Sequence, residues 1–210
     1  MMKSIFTFTT HKGAKGFTLI ELLVVLALFT TVITIATGAL FSAQAVNTKL
    51  QQTQIILDGV NVAMEEMVRD VRYGSIFYCT NSVPNSAPDR LSCPYPTGNT
   101  VLVFKPSAGL TPANSANDRI AYYLSGGAVY RQDFPLGVPG TPIQITTTDV
   151  LIETLFFYVK GAETISASTP DYIQPVVTLV LSGVTKPTQP HVTPVRFSVQ
   201  TSISARKIDK

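Results

Sequence analysis

The sequence has no tryptophan, two histidines, two cysteines and little charge: Asp, Glu, Lys and Arg make up 14% of 210 residues. An ordinary soluble domain carries about a quarter. Low charge beside 45% apolar residues excludes a disordered chain, which needs the reverse balance. The shortage of histidine narrows the chemistry. His11 precedes the first apolar run and His191 sits in the Pro-rich stretch "KPTQPHVTP". No G-x-S-x-G, H-E-x-x-H or P-loop pattern is present. Two cysteines are too few for a Cys-only zinc site. The stretch "NSANDR" (114–119) lacks the acidic spacing of an EF-hand loop. We therefore expect no enzyme, no cofactor and no metal. The net charge of +3 is local: Lys3, Lys12 and Lys15 account for it, and the rest of the chain is balanced. That excludes a broad basic footprint for nucleic acid, and the terminal "ARKIDK" (205–210) reads as a solvated tail.

What the chain does have is one long hydrophobic run. From Phe17 to Val46 the only charged residue is Glu21. About 20 apolar residues cross a bilayer core, so the run is long enough. The lysines ahead of it predict the N-terminus inside and the remainder outside. Three explanations compete. A plain anchor has no use for Glu21, since a carboxylate within a membrane helix costs about 2.5–3.5 kcal/mol. A secretory signal peptide cut near Ala36-Thr37-Gly38, a small-x-small pattern, normally carries no charge there either. In the third, cleavage after Gly16 frees the amine of Phe17 and leaves Glu21 one helical turn on. The helix dipole favours a carboxylate near the N-terminus. The terminal ammonium of a neighbouring copy would also pair with it, so Glu21 becomes an assembly device.

The stretch "KGFTLIELLVVLAL" resembles the class III signal of type IV pilins and type II secretion pseudopilins: a basic leader, Gly, Phe, Thr, Leu, Ile, Glu, then an apolar helix. Gly16, Phe17 and Glu21 occupy the matching positions. The resemblance implies that a prepilin peptidase cuts between Gly16 and Phe17 and that Phe17 is N-methylated. It implies assembly with other major and minor subunits and with an assembly platform protein. It covers residues 11–41 and leaves the task of the head open.

The helical pattern continues beyond the run. Leu50, Leu57, Val60, Met64, Met67 and Val71 recur at spacings of three, four and seven, with charged and polar residues on the other faces. No proline interrupts residues 17–73, and Gly74 suits a helix terminator. Gly38 and Gly59 are the weak points within it. Gly38 admits two explanations, a loosening point and a site of close packing. Beyond Gly74 the period changes. Residues 100–105, 119–125, 128–133, 150–160, 174–183 and 194–204 are β-rich, and the last alternates Val195, Phe197, Val199 and Ile203 against Arg196, Ser198, Gln200 and Ser202. Ser125-Gly126-Gly127 reads as a tight hairpin. Strands joined by turns imply an antiparallel sheet whose apolar face needs a cover. The predicted class is α+β: a long N-terminal helix, part transmembrane and part amphipathic, packed on a mostly antiparallel β-sheet head. The expected divisions are a leader at 1–16, a transmembrane and assembly helix at 17–46, and an extracytoplasmic head at 47–210. Within that head, 47–73 is the amphipathic helix and 74–210 is β-rich.

Cys79 and Cys93 enclose a loop with little to pack. Outside the membrane, this spacing reads as a disulfide; the alternative is two free thiols in a reducing compartment. Tyr122, Tyr123 and Tyr130 are expected to pack on sheet faces. The stretches "RDVRYGS", "IAYYLSGGAVYRQ" and "VLIETLFFYV" resemble J-type minor pseudopilins and large minor pilins, which join other minor subunits at a filament tip. The K-type tip subunit typically lacks the early glutamate. The expectation is a non-enzymatic minor subunit in a single-pass, N-in membrane topology, entering a pilus-like or secretion filament. The alternatives are a major pilin, an adhesin or DNA-uptake module displayed on the filament, and, more remotely, a secreted hydrolase with an uncleaved anchor.

Overall fold

The computed structural model describes residues 16–86, 90–110, 117–163, 174–186 and 194–206, with the side chain of Leu57 left out. Residues 1–15 with His11, His191, residues 114–116 of the "NSANDR" stretch and residues 207–210 lie outside the described residues. The chain divides into two compact units, Met1–Asn47 and Thr48–Lys210.

In the first unit, helix α1 (Leu19–Tyr73) begins and remains exposed throughout. Its hydroxyls are satisfied within the helix: Thr31 donates to the Ala27 carbonyl at 2.8 Å and Thr34 to the Thr30 carbonyl at 2.8 Å. Thr37 and Ser42 bond back in the same way. Such bonds to the preceding turn leave no unpaired hydroxyl to face an apolar medium. The helix is long and apolar enough to cross a membrane, and Gly38 does not interrupt it.

In the second unit the amphipathic part of α1 covers two antiparallel sheets. One runs β1 (Ser75–Thr80), β2 (Val101–Lys105), β3 (Arg119–Ser125), β4 (Ala128–Phe134) and β5 (Ile143–Gln144) in sequence order. The other is β6 (Val150–Lys160), β7 (Val176–Thr185) and β8 (Arg196–Ser204). The α+β class and antiparallel pairing expected from the sequence are present, on two sheets rather than one. Ile56, Val60, Met64, Met67 and Val71 of α1 join Phe77, Leu102, Phe104 and Tyr122 of the first sheet in one core. Leu155, Phe157, Leu179 and Leu181 of the second sheet complete it.

Leu50 departs from the expected stripe: it is 56% exposed. The first turn of α1 in this unit lies outside the core, and burial starts at Gln52. Ile56 takes the inward place instead, and the stripe from Ile56 to Val71 keeps spacings of three and four. Two strands escaped the sequence. In β1 the alternation is broken by Ile76, whose φ is 55°, at an irregularity in register between Ser75 and Tyr78. β5 is two residues long. The Gly126-Gly127 turn between β3 and β4 has both φ values positive, 56° and 78°, which is the demand of a tight hairpin of this hand.

Candidate functional site

The first turn of α1 carries the motif. Gly16, Phe17 and Thr18 precede the helix, and Phe17 is 76% exposed. Thr18 caps it: the Glu21 backbone N–H donates to Thr18 Oγ1 at 3.3 Å and the Leu22 N–H to the Thr18 carbonyl at 3.2 Å. Thr-x-x-Glu is the sequence of a capping box, and only the half donated by the Glu21 backbone is made here. Among the described residues no hydrogen bond or ion pair engages the Glu21 carboxylate. It sits in the first turn, where the dipole favours it. The chain thus places a carboxylate in an apolar, exposed segment where the Glu21 backbone N–H is engaged by Thr18.

The head has a different character. Tyr122, fully buried, donates to Asp70 Oδ2 at 2.9 Å. Arg131 Nε reaches the same oxygen at 3.1 Å, its Nη1 bonds Asp133 at 2.8 Å, and Glu66 lies 3.7 Å away. Burial raises the Tyr122 pKa, with the Asp70 charge and hydrogen bond adding to the shift. For Arg131 burial acts downward, but Tyr122, Asp133 and Asp70 outweigh it and hold the guanidinium charged. Lys105 and Asp118 form a second buried pair at 3.7 Å, and Asp118 also accepts the Leu136 N–H at 2.8 Å. The aspartate of the "NSANDR" stretch is therefore engaged by the fold. Arg119 stacks on Phe134 at 4.3 Å and donates to the Pro84 carbonyl at 3.1 Å. Burial lowers its pKa.

Cys79 and Cys93 are joined as a disulfide. Both sulfurs are buried against the β6 backbone, where Cys93 pairs with Val159. Tyr123 and Tyr130 stack with ring centroids 6.0 Å apart, on the sheet face opposite Tyr122. All of these groups tie elements of the head together. No group of three or more His, Cys, Asp or Glu with metal-binding geometry occurs among the described residues. The sequence missed the Asp70–Arg131 pair, since the partners lie 61 residues apart and neither belongs to a motif.

Residues 11–37 match the protein family described as "Prokaryotic N-terminal methylation motif". No curated protein and no solved structure matches the chain. The matched segment holds Lys12, Lys15, Gly16, Phe17, Glu21 and the start of the apolar helix. It is a prepilin-type signal, and it supports a pilin-like subunit of the type IV pilin and pseudopilin class. Together with the apolar helix it is consistent with a membrane-anchored, single-pass protein, processed by a prepilin peptidase and assembled with other pilins. A signal of this kind points to a structural subunit rather than an enzyme.

Proposed function

We propose that this chain is a minor pilin or pseudopilin that enters a pilus-like or secretion filament, in its tip or initiation complex. The observation that carries the reading is the unbroken series of basic leader, Gly16, Phe17, Thr18 and Glu21 at the head of an apolar helix. Prepilin peptidase cleaves after Gly16 and methylates Phe17, removing residues 1–16. The segment 17–46 stays in the membrane with its N-terminus inside, and the head from residue 47 lies outside. Glu21 then pairs with the terminal ammonium of a neighbouring subunit. Charge complementarity of that kind favours correct insertion, because each group alone is costly in lipid. The disulfide fits an oxidising compartment outside the cytoplasm. The minor rather than major role rests on the resemblance of "RDVRYGS", "IAYYLSGGAVYRQ" and "VLIETLFFYV" to J-type subunits.

Intact-mass measurement of the mature protein tests the reading. It should show loss of residues 1–16 and one added methyl group on Phe17. A mature chain that starts at Ala39 would establish a signal peptide and overturn it.

A further inference from the structure

β8 is the last strand of its sheet, and its outer edge has no partner strand or bridge among the described residues. The register shows which main-chain groups face that edge. The Thr185 N–H donates to the Val195 carbonyl at 3.0 Å and the Ala205 N–H to the Pro175 carbonyl at 2.9 Å. Those pairs belong to one regular antiparallel series with Val177↔Ile203, Leu179↔Thr201 and Leu181↔Val199. In an antiparallel ladder, alternate residues turn both main-chain groups toward the same neighbour. The odd-numbered residues of β8 therefore bond to β7. Arg196, Ser198, Gln200 and Ser202 turn their N–H and C=O groups outward.

A second observation concerns the core face of the same strand. Leu181 of β7 is fully buried, while Val199 opposite it on β8 and Phe197 opposite Gly183 are only half-buried although they pack against the core. The apolar face runs past the last strand and is left partly uncovered. Proteins usually blunt such an edge with lysine, proline, a bulge or a short strand. β8 has nine residues in regular register, no proline and no lysine, with Arg196 alone at its end.

We propose that the outer edge of β8 takes up an extended segment of a different filament subunit, continuing the sheet by β-augmentation. The proposal rests on the filament reading above. Outward N–H and C=O groups on alternate residues are matched by an extended backbone, which supplies the affinity in this mode of recognition. The side chains set the chemistry of the incoming segment. It is free of proline, places apolar residues inward over Phe197 and Val199, and places small polar residues beside Ser198, Gln200 and Ser202. A second copy pairing β8 with β8 antiparallel does not fit. The two-fold axis of such a pair stands normal to the sheet and reverses every direction lying along it, including that of the helix packed on its face. The head helices of the two copies would then run in opposite directions, whereas subunits added to a filament from one membrane all point the same way.

The test uses residue-resolved hydrogen exchange on the full-length wild-type chain, alone in detergent and in sheared filaments. The amides of Ser198, Gln200 and Ser202 should exchange fast in detergent and slow by about 100-fold in filaments, while those of Val199 and Thr201 are protected in both. Two proline variants separate pairing from folding. Gln200→Pro removes only an outward N–H, so the head should fold, keep its disulfide and lose filament incorporation about tenfold. Thr201→Pro removes a bond to β7 and should unfold the strand. Even-numbered amides that stay fast in filaments overturn the proposal, as does protection that slows all β8 amides alike. The wild-type exchange decides the matter even where Gln200→Pro fails to fold. Wild-type chain that never enters the filament fraction takes down the filament reading itself, which is a separate result.

Discussion

The Tyr122 hydroxyl donates to Asp70 Oδ2 at 2.9 Å, which pins β3 to the last turns of α1 inside an otherwise apolar contact. Arg131 of β4 bonds the same oxygen at 3.1 Å. Met67 and Val71 hold the helix on the sheet through area alone, which fixes distance but not register. The Tyr122–Asp70–Arg131 arrangement supplies direction, because each group has one place where its bonds are made.

Tyr122→Phe keeps the ring packing and removes the hydroxyl. The head should lose about 1 kcal/mol, with Asp70 still partnered by Arg131. The variant also changes the alkaline limb. Burial and the Asp70 charge raise the Tyr122 pKa above its unfolded value. The folded chain therefore holds this proton after the unfolded chain has released it. The contribution is fully present below about pH 10, the ordinary tyrosine value, and is lost as pH rises beyond it. Urea unfolding at neutral and strongly alkaline pH should show a shallower decline for Tyr122→Phe than for wild type. Equal slopes would mean that the hydroxyl is not coupled to folding.

Replacing both Cys79 and Cys93 by serine opens a loop with a sequence separation of 14. Removing such a cross-link costs about 3 kcal/mol in the chain-entropy model. The loss should concentrate in the segment beside β6, where Cys93 pairs with Val159 and Asn99 with Phe157. Urea unfolding gives the magnitude, and hydrogen exchange at residues 91–99 gives the location. A double variant with unchanged midpoint would show that those backbone pairs suffice without the bridge.

Gly59 lies mid-helix, where alanine ordinarily gains about 1 kcal/mol over glycine. Here a Cβ would come within 2.5 Å of Thr147 Oγ1 and 2.9 Å of its Cγ2. We expect Gly59→Ala to destabilise the head despite its better propensity, by about 1 kcal/mol. Thr147→Ala removes both of those atoms and should restore most of the loss in the double variant. Thermal unfolding of the two singles and the double checks the sign. A stabilised single variant would mean that the loop around Thr147 moves aside freely.

How much was legible follows the range of each interaction. The α1 pattern, the hairpin at Gly126-Gly127 and the alternation in β8 are local, and each could be read from a few consecutive residues. β1 was hidden because Ile76 leaves the β region and breaks the period that announces a strand. Leu50 was misplaced for another reason. Helical spacing shows which face a residue occupies, but not how far along the helix the sheet extends. The Arg131 contacts to Asp70 and Glu66 and the Lys105–Asp118 pair depend on residues brought together by the whole topology, and no short window contains them. At the N-terminus the position was different, since Gly16, Phe17, Thr18 and Glu21 form their motif within six consecutive residues. The Thr18 cap is harder to read there, because the Thr-x-x-Glu pattern of a capping box coincides with the motif itself.

That cap shapes the test of Glu21. Thr18 Oγ1 accepts from the Glu21 backbone N–H, so Glu21→Ala keeps the bond and the helix start. The variant should insert, because a charge has been removed from the apolar segment. It should be cleaved, because Gly16 and Phe17 are unchanged, and its head should fold, because the core begins at Ile56. What should fail is recruitment beside a partner, where the Phe17 ammonium stays unpaired in lipid. A penalty of about 2.5–3.5 kcal/mol corresponds to a loss on the order of 100-fold in partner occupancy. Glu21→Gln, isosteric and uncharged, should fail equally. Thr18→Ala separates the two roles of this turn: it removes the cap, costs the helix about 1 kcal/mol, and should leave recruitment close to wild type. Crosslinking to neighbouring subunits and sheared-filament fractions measure all three variants. If Glu21→Ala is recruited at the wild-type level, the carboxylate is not an assembly device. If Thr18→Ala fails as badly as Glu21→Ala, recruitment is sensitive to the geometry of the whole first turn, and the loss in the Glu21 variants does not single out pairing with the Phe17 ammonium.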